Sequence, residues 1–263
     1  MCLIALAWNA HPEWPLVLAA NRDEFHARPS AALARWADAD VIGGCDLREG
    51  GGWLALSPAG RLAAVTNVRI PGQGAAPRSR GKLVRDFVAG AEGTEEFARG
   101  LDAAGSGYGA YNLFLWDGAH LAYAGNQPRP HWQNLPPGLH AASNGELGEP
   151  WPKLKLLSAR LRAWLEAQDG GEPDITPLLE VLANEQIPPD VELPDTGVGL
   201  TLERMLAPPF IRSEGYGTRA SSVVLVRRDG RASFFERRFG PEGVHQGDSR
   251  MELQLSTLTG ARA

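Results

Sequence analysis

Short, largely apolar runs recur along most of the chain, and the runs come in pairs. LIALAW (3–8) and LVLAAN (16–21) flank a turn at 11–15, and WLALS (53–57) and RLAAVTN (61–67) flank Pro58, Ala59 and Gly60. YNLFLW (111–116) and LAYAG (121–125) flank Asp117-Gly118, and SSVVLV (221–226) and RASFFERRF (231–239) flank a second Asp-Gly pair at 229–230. Short apolar runs joined by turn residues predict hairpins, hence antiparallel sheet. ELQLSTL (252–258) reads as a last strand.

A longer period appears between the hairpins. GKLVRDFV (81–88) puts Leu83, Val84, Phe87 and Val88 on one helical face, and Thr94 is placed to cap a helix over 94–101. The strongest helical pattern starts at Trp151-Pro152 and carries Leu154, Leu157, Leu161 and Leu165 along one side, with proline suited to the first turn. Another helix is predicted over 173–184. The proline- and acid-rich segment 185–200 reads as a long surface loop. Strands at both ends with helices grouped in the middle predict one α+β sandwich, a single domain over 1–263.

With 22% charged residues and a net charge of -5, the chain has no electrostatic signature of a nucleic-acid or anionic-membrane binder. No apolar run approaches the roughly 20 residues of a membrane span, and no basic, apolar leader opens the chain, which predicts a cytoplasmic protein. Two cysteines, Cys2 and Cys45, make no disulfide framework. Six histidines show no metal-ligand spacing, so neither a metal nor a cofactor is expected.

The chemistry starts at Cys2. Met1 precedes a small side chain, so aminopeptidase removal is expected to leave Cys2 first, where its α-amine can act as base for its own thiol. The first hairpin returns Asn21, Arg22 and Asp23 beside Cys2. An arginine there favours a thiolate, and an acid can hold the terminal ammonium or the arginine. A reactive Cys2 that alkylates before Cys45 is therefore expected. Successive strand residues face opposite ways, so unless the strand bends only one of Arg22 and Asp23 faces Cys2.

MCLIALAW, LVLAANRDEFHARPS, GGWLALSPAGRLAAVTNVR, SRGKLV, YNLFL, ASNGELGEPWPK and GYGTRASSVVLV, in that order through nearly the whole chain, resemble the NRDE family, named from Asn21-Arg22-Asp23-Glu24 as they stand here. That family includes the transport and Golgi organisation protein 2 of animals. The resemblance implies an N-terminal nucleophile (Ntn) hydrolase-like αββα sandwich of two antiparallel sheets flanked by helices, similar to the cholylglycine hydrolase and penicillin V acylase group. It further implies Cys2 as nucleophile, Arg22 and Asp23 beside it, Asn67 and Asn144 as oxyanion donors, and Arg219 as a second cation. The expected partner is a small acyl-type substrate, an amide or thioester, for a hydrolase or acyltransferase. The alternative is a non-catalytic carrier of acyl-CoA, lipid or haem, and the oligomeric state stays open.

Other motifs read more plainly. GSGYG (105–109) precedes a strand and fails as a dinucleotide fingerprint, and GDSR (247–250) lacks a strand-elbow-helix context. Arg78, Arg80, Lys82 and Arg85 read as a solvated helix face, with contact to an anionic substrate as the alternative. REGGGW turns the backbone tightly, and Trp8, Trp53 or Trp132 are candidates to line an apolar pocket.

Overall fold

The computed structural model describes residues 2–72, 74, 76–103 and 107–258. Six strands open the chain: β1 (Cys2–Trp8), β2 (Leu16–Phe25), β3 (Ser30–Arg35), β4 (Ile42–Asp46), β5 (Leu54–Ser57) and β6 (Arg61–Asn67). Helices α1 (Gly81–Ala89) and α2 (Thr94–Ala103) follow, then β7 (Tyr111–Trp116), β8 (Leu121–Gly125), β9 (His131–Asn134) and β10 (Gly138–Ala142). Helices α3 (Pro152–Glu166), α4 (Thr176–Leu182) and α5 (Leu200–Leu206) precede the closing strands β11 (Tyr216–Val226), β12 (Arg231–Phe239) and β13 (His245–Gln254).

The strands form two antiparallel sheets, in the orders β10-β1-β2-β11-β12-β13 and β3-β4-β5-β6-β7-β8-β9. Alternation decides what each face meets. Ile4, Leu6, Trp8, Leu16 and Leu18 join Leu56, Leu62, Phe114 and Trp116 in a core between the sheets. The opposite face of the first sheet offers Leu3, Ala5, Ala7, Val17 and Ala19 to Leu154, Leu157, Leu161 and Leu165 of α3, and the small alanines let the helix approach closely. On the far side, Ala55, Ala63 and Leu115 receive Leu83, Val84, Phe87 and Val88 of α1. The result is an αββα sandwich.

All four predicted hairpins form, as do the helices predicted at α1 to α4. Asp117 accepts hydrogen bonds from the amides of Ala119 and His120, while Gly118 takes the positive φ of 92° that the tight turn demands. The last strand differs from expectation: it ends at Gln254 and extends back through GDSR to His245. Four strands, β3, β4, β9 and β10, lay outside the sequence-based expectation, as did α5. Segment 185–200 does run as a loop with one 3-10 turn at Asp190–Glu192, but Thr196 is tied down by Glu203 of α5 through its amide at 2.8 Å and its hydroxyl at 2.5 Å.

The layered packing separates two neighbouring leucines of α3. Leu157 is fully buried and Leu156 is 40% exposed. Leu157→Ala is expected to cost about 2–5 kcal/mol of unfolding free energy, and Leu156→Ala less than about 0.5 kcal/mol, as read by urea denaturation.

Candidate active site

Cys2 begins β1, and the register sets Arg22 of β2 directly opposite it. Both side chains share the inter-sheet face. Asn21 and Asp23 point the other way, into the helical layer. Asn21 donates to the carbonyls of Leu182 (2.8 Å) and Pro209 (2.9 Å) and accepts from Ser221 (2.6 Å). It fastens helices to the sheet. Asp23 accepts from the Thr218 hydroxyl at 2.7 Å and is almost completely buried. The pleat thus divides the NRDE stretch, with Arg22 beside the thiol and the Asp23 carboxylate bonded to Thr218 behind the strand, while Asp23 also borders the cleft.

Two strand ends bring Asn67 and Asn144 together. Asn144 donates through Nδ2 to the main-chain oxygen (2.9 Å) and Oδ1 (3.2 Å) of Asn67. That commits the Asn144 amide and fixes the orientation of the Asn67 amide, whose Nδ2 makes no hydrogen bond among the described residues. Asn67 lines the same cleft as Cys2, and Asn144 does not. The geometry makes Asn67 the available donor and Asn144 the residue that orients it.

A buried polar network holds this junction. Asn112 donates to the carbonyls of Ser143 (3.0 Å) and Gly145 (2.9 Å) and to the Thr66 hydroxyl (3.0 Å), while the Tyr123 hydroxyl donates to Asn112 Oδ1 at 2.6 Å. The Ser143 hydroxyl then donates to the carbonyl of Cys2 at 2.9 Å. Sequence reasoning missed Asn112 and Ser143 as site residues; an asparagine in the middle of the apolar run YNLFLW was the available signal.

Arg219 occupies a bulge in β11, between the paired residues Thr218 and Ala220. Its Nη1 reaches the carbonyls of Phe25 (3.0 Å), His26 (3.2 Å) and Arg28 (3.0 Å). Arg219 lines the cleft but is engaged in holding the chain as it leaves β2.

The cleft has a volume of about 680 Å³ and lies over Cys2, Arg22, Asn67 and Trp53. Trp8 instead packs in the inter-sheet core and Trp132 against the α1 layer. Gly52 lines the cleft, and Gly51 beside it has φ 83° with space so tight that a Cβ would meet the Gly81 carbonyl oxygen at 2.3 Å. Eight arginines line the cleft against five carboxylates, a positive surface in a chain of net charge -5. Arg28 pairs with Asp46 at 2.5 Å, and Arg69 pairs with Glu203 at 2.7 Å. The solvated-helix reading of the basic run needs correction. Arg78 and Arg80 precede α1 and turn into the cleft, whereas Lys82 is exposed and Arg85 pairs with Asp38. Arg80 donates to the Ala110 carbonyl at 3.2 Å and Arg78 lies over the Tyr108 ring, with no carboxylate partner for either among the described residues.

Burial dominates the ionisation of the centre. It pushes the Cys2 thiol above its ordinary value; the positive amino terminus and Arg22 oppose the rise, and Asp23 adds to it. Arg22 does act in the expected direction, lowering the Cys2 pKa, but burial raises it more. Burial likewise raises Asp23, against the lowering effects of the amino terminus, Lys153 and Thr218. Cys45 also lines the cleft and is the more exposed thiol, with its own pKa raised by partial burial and Asp46. Among the described residues no three His, Cys, Asp or Glu side chains are grouped to hold a metal ion, and no helix is long and apolar enough to cross a membrane.

Two facing antiparallel sheets between helical layers, with a cysteine heading an inner strand, define the Ntn-hydrolase-like fold. The Caenorhabditis elegans N-acylethanolamine-hydrolyzing acid amidase ortholog shares it, with a TM-score of 0.52 at 12% identity over 85% of this chain and 92% of that one. Within that class the chain belongs to the Transport and Golgi organisation 2 family, whose sequence profile matches residues 1–241. The human transport and Golgi organization protein 2 homolog is 34% identical over 256 residues, covering 90% of this chain and 92% of the relative. The Drosophila melanogaster transport and Golgi organization protein 2 is 30% identical over 264 residues, covering 90% and 91%.

Two measurements test the site geometry. With Met1 retained, iodoacetamide is expected to modify Cys45 before Cys2, as read by peptide mass spectrometry after timed quenching; faster labelling at Cys2 contradicts the burial argument. Arg219→Ala is expected to lower stability by about 1–3 kcal/mol, since it releases charge-assisted bonds to three carbonyls, and an unchanged urea midpoint contradicts the structural role.

Proposed function

We propose that the chain, once Met1 is removed, is an N-terminal cysteine hydrolase or acyltransferase acting on an amide or thioester. The observation that carries this reading is the uncommitted Asn67 amide in the cleft that also contains Cys2 and Arg22. A buried thiol is a poor nucleophile until a base removes its proton. In the processed chain the α-amine of Cys2 is that base. It takes the Sγ proton as sulfur attacks the carbonyl carbon, and the resulting oxyanion is stabilised by Asn67 Nδ2. Collapse of the tetrahedral intermediate expels the amine or thiol leaving group, which regains the proton from the ammonium. Water, deprotonated by the same amine, or another acceptor then attacks the acyl-enzyme and restores the thiol. Arg78 and Arg80, without carboxylate partners among the described residues, suit a substrate that carries a carboxylate, sulfonate or phosphate. The acid amidase named among the structural relatives hydrolyses N-acylethanolamines, and its shared fold supports an acyl substrate.

The raised thiol favours a second reading, a carrier of acyl-CoA, lipid or haem that uses the cleft without chemistry. For haem, the described residues that line the cleft supply two thiols, Cys2 and Cys45, and no histidine.

A matched pair separates the two readings: one sample with a free Cys2 amine verified by intact mass, and one with a blocked terminus. Both are offered amides and thioesters with anionic or neutral leaving groups. The free form is expected to accumulate an acyl-enzyme and turn over, faster for the anionic set, and the blocked form to lose turnover while staying folded. Equal turnover by both forms rules out the N-terminal mechanism, and equal ligand binding with no acyl adduct in either favours the carrier.

A further inference from the structure

Lys153 is the most anomalous charge in the molecule. It lies in the first turn of α3, directly after Pro152, and is 3% exposed. Helix N-termini favour acids, so a buried lysine there opposes both the helix dipole and desolvation. Among the described residues its one hydrogen bond runs from Nζ to the Leu206 carbonyl at 3.0 Å, and the Trp151 ring lies 5.8 Å from the ammonium. Neither neutralises it.

The segment that receives Lys153 also runs behind the nucleophile strand. Leu206 accepts from Lys153, Pro209 accepts from Asn21, and the Ile211 amide donates to the Thr218 hydroxyl, which in turn donates to Asp23. Lys153 and Asp23 therefore share one buried compartment on the helix-facing side of β2. The charged groups around Lys153 are Asp23, Arg69, Cys2 and Glu203. Glu203 is already engaged, accepting from Arg69 at 2.7 Å and from both donors of Thr196. Of the two carboxylates whose charge acts on Lys153, Asp23 acts the more strongly.

We propose that Lys153 is a positioning residue for the Cys2 centre, the buried counter-charge that keeps Asp23 anionic behind β1 and β2 so that Asp23 can orient the Cys2 amine. The inference rests on the N-terminal nucleophile reading above. Burial drives the Lys153 pKa down to about 8, so it still carries its charge near neutral pH. Around Asp23 stand the amino terminus, Lys153 and Arg22, which favour the carboxylate, and burial, which disfavours it more. The buried Tyr216 phenol also feels Asp23 and Cys2. Because its folded-state pKa is raised, Asp23 withdraws stability as pH climbs from its ordinary value through its folded value. Removing Lys153 extends that window upward. An ionised Asp23 can accept a hydrogen bond from the amine and fix the direction of its lone pair toward sulfur; a protonated one cannot serve as the same anionic acceptor.

The test uses the full chain with a free Cys2 amine, as wild type, Lys153→Met, Asp23→Asn and the double variant, with carbon-13 labelled aspartate and cysteine. In Lys153→Met the Asp23 carboxyl midpoint is expected to rise by about one pH unit or more. The Cys2 amine midpoint is expected to fall as its anionic neighbour is neutralised. In urea, the two single substitutions are expected to be non-additive, the double variant being more stable than Lys153→Met at pH 7 because it leaves no unbalanced buried charge. If Lys153→Met does not fold, folding of the double variant supports the pairing, and failure of both overturns it. Unmoved midpoints with additive stability losses also overturn it. None of these readouts requires a substrate, so absent turnover in the wild type would refute hydrolysis while leaving the charge pairing separately decided.

Discussion

The candidate centre depends on the register between β1 and β2. Setting Cys2 opposite Arg22 places the thiol and guanidinium on the inter-sheet face and sends Asn21 and Asp23 into the helical layer. A slip of one residue would reverse every one of these placements. The register is held by apolar residues on both faces, since Ile4, Leu6 and Leu18 pack between the sheets while Leu3, Ala5 and Val17 pack against α3. The chemistry at the strand end is thus specified by hydrophobic packing further along the same strands.

Charges placed in such a packed environment need partners, and the site is framed by those they find. Arg69 and Glu203 pair at 2.7 Å and also hold Thr196, so a proline-rich loop is anchored behind the centre. Glu236 accepts from the Leu33 amide at 2.7 Å, linking β12 to β3 across the two sheets. Arg219 gathers three carbonyls at the exit from β2. These bonds cannot be traded for water without exposing the compartment, which favours a rigid site over one assembled on binding.

The sequence revealed the features whose signals are local. Two apolar runs across a short turn locate the first hairpin, and the hairpin alone brings Cys2 to Arg22. Leu154, Leu157, Leu161 and Leu165 mark α3 because one face repeats through four turns. The missed strands lack such signals: β9 is only four residues, HWQN, two partly buried and two exposed, and β4 contains two glycines. Arg80 and Lys153 were illegible for a different reason. A basic residue near a helix start has the same local pattern whether it meets water or a main-chain carbonyl, and tertiary packing decides between them. Asn67 and Asn144 were visible as strand-end amides, but which one donates into the cleft follows from a hydrogen bond between residues 77 apart in sequence.

The buried thiol and the amine-base mechanism fit one logic. A cysteine held as a permanent thiolate needs a stable positive environment, yet here burial outweighs the combined pull of the amino terminus and Arg22. A resting thiol is compatible with catalysis only where a base lies within reach of its proton, and a terminal residue carries that base on its own backbone. The same burial makes the amine's orientation decisive, because a donor enclosed by packed strands cannot search for alternatives. On the proposed reading, Asp23 directs the amine and Arg22, beside the sulfur, stabilises charge as it develops, so opposite faces of one strand carry the two tasks.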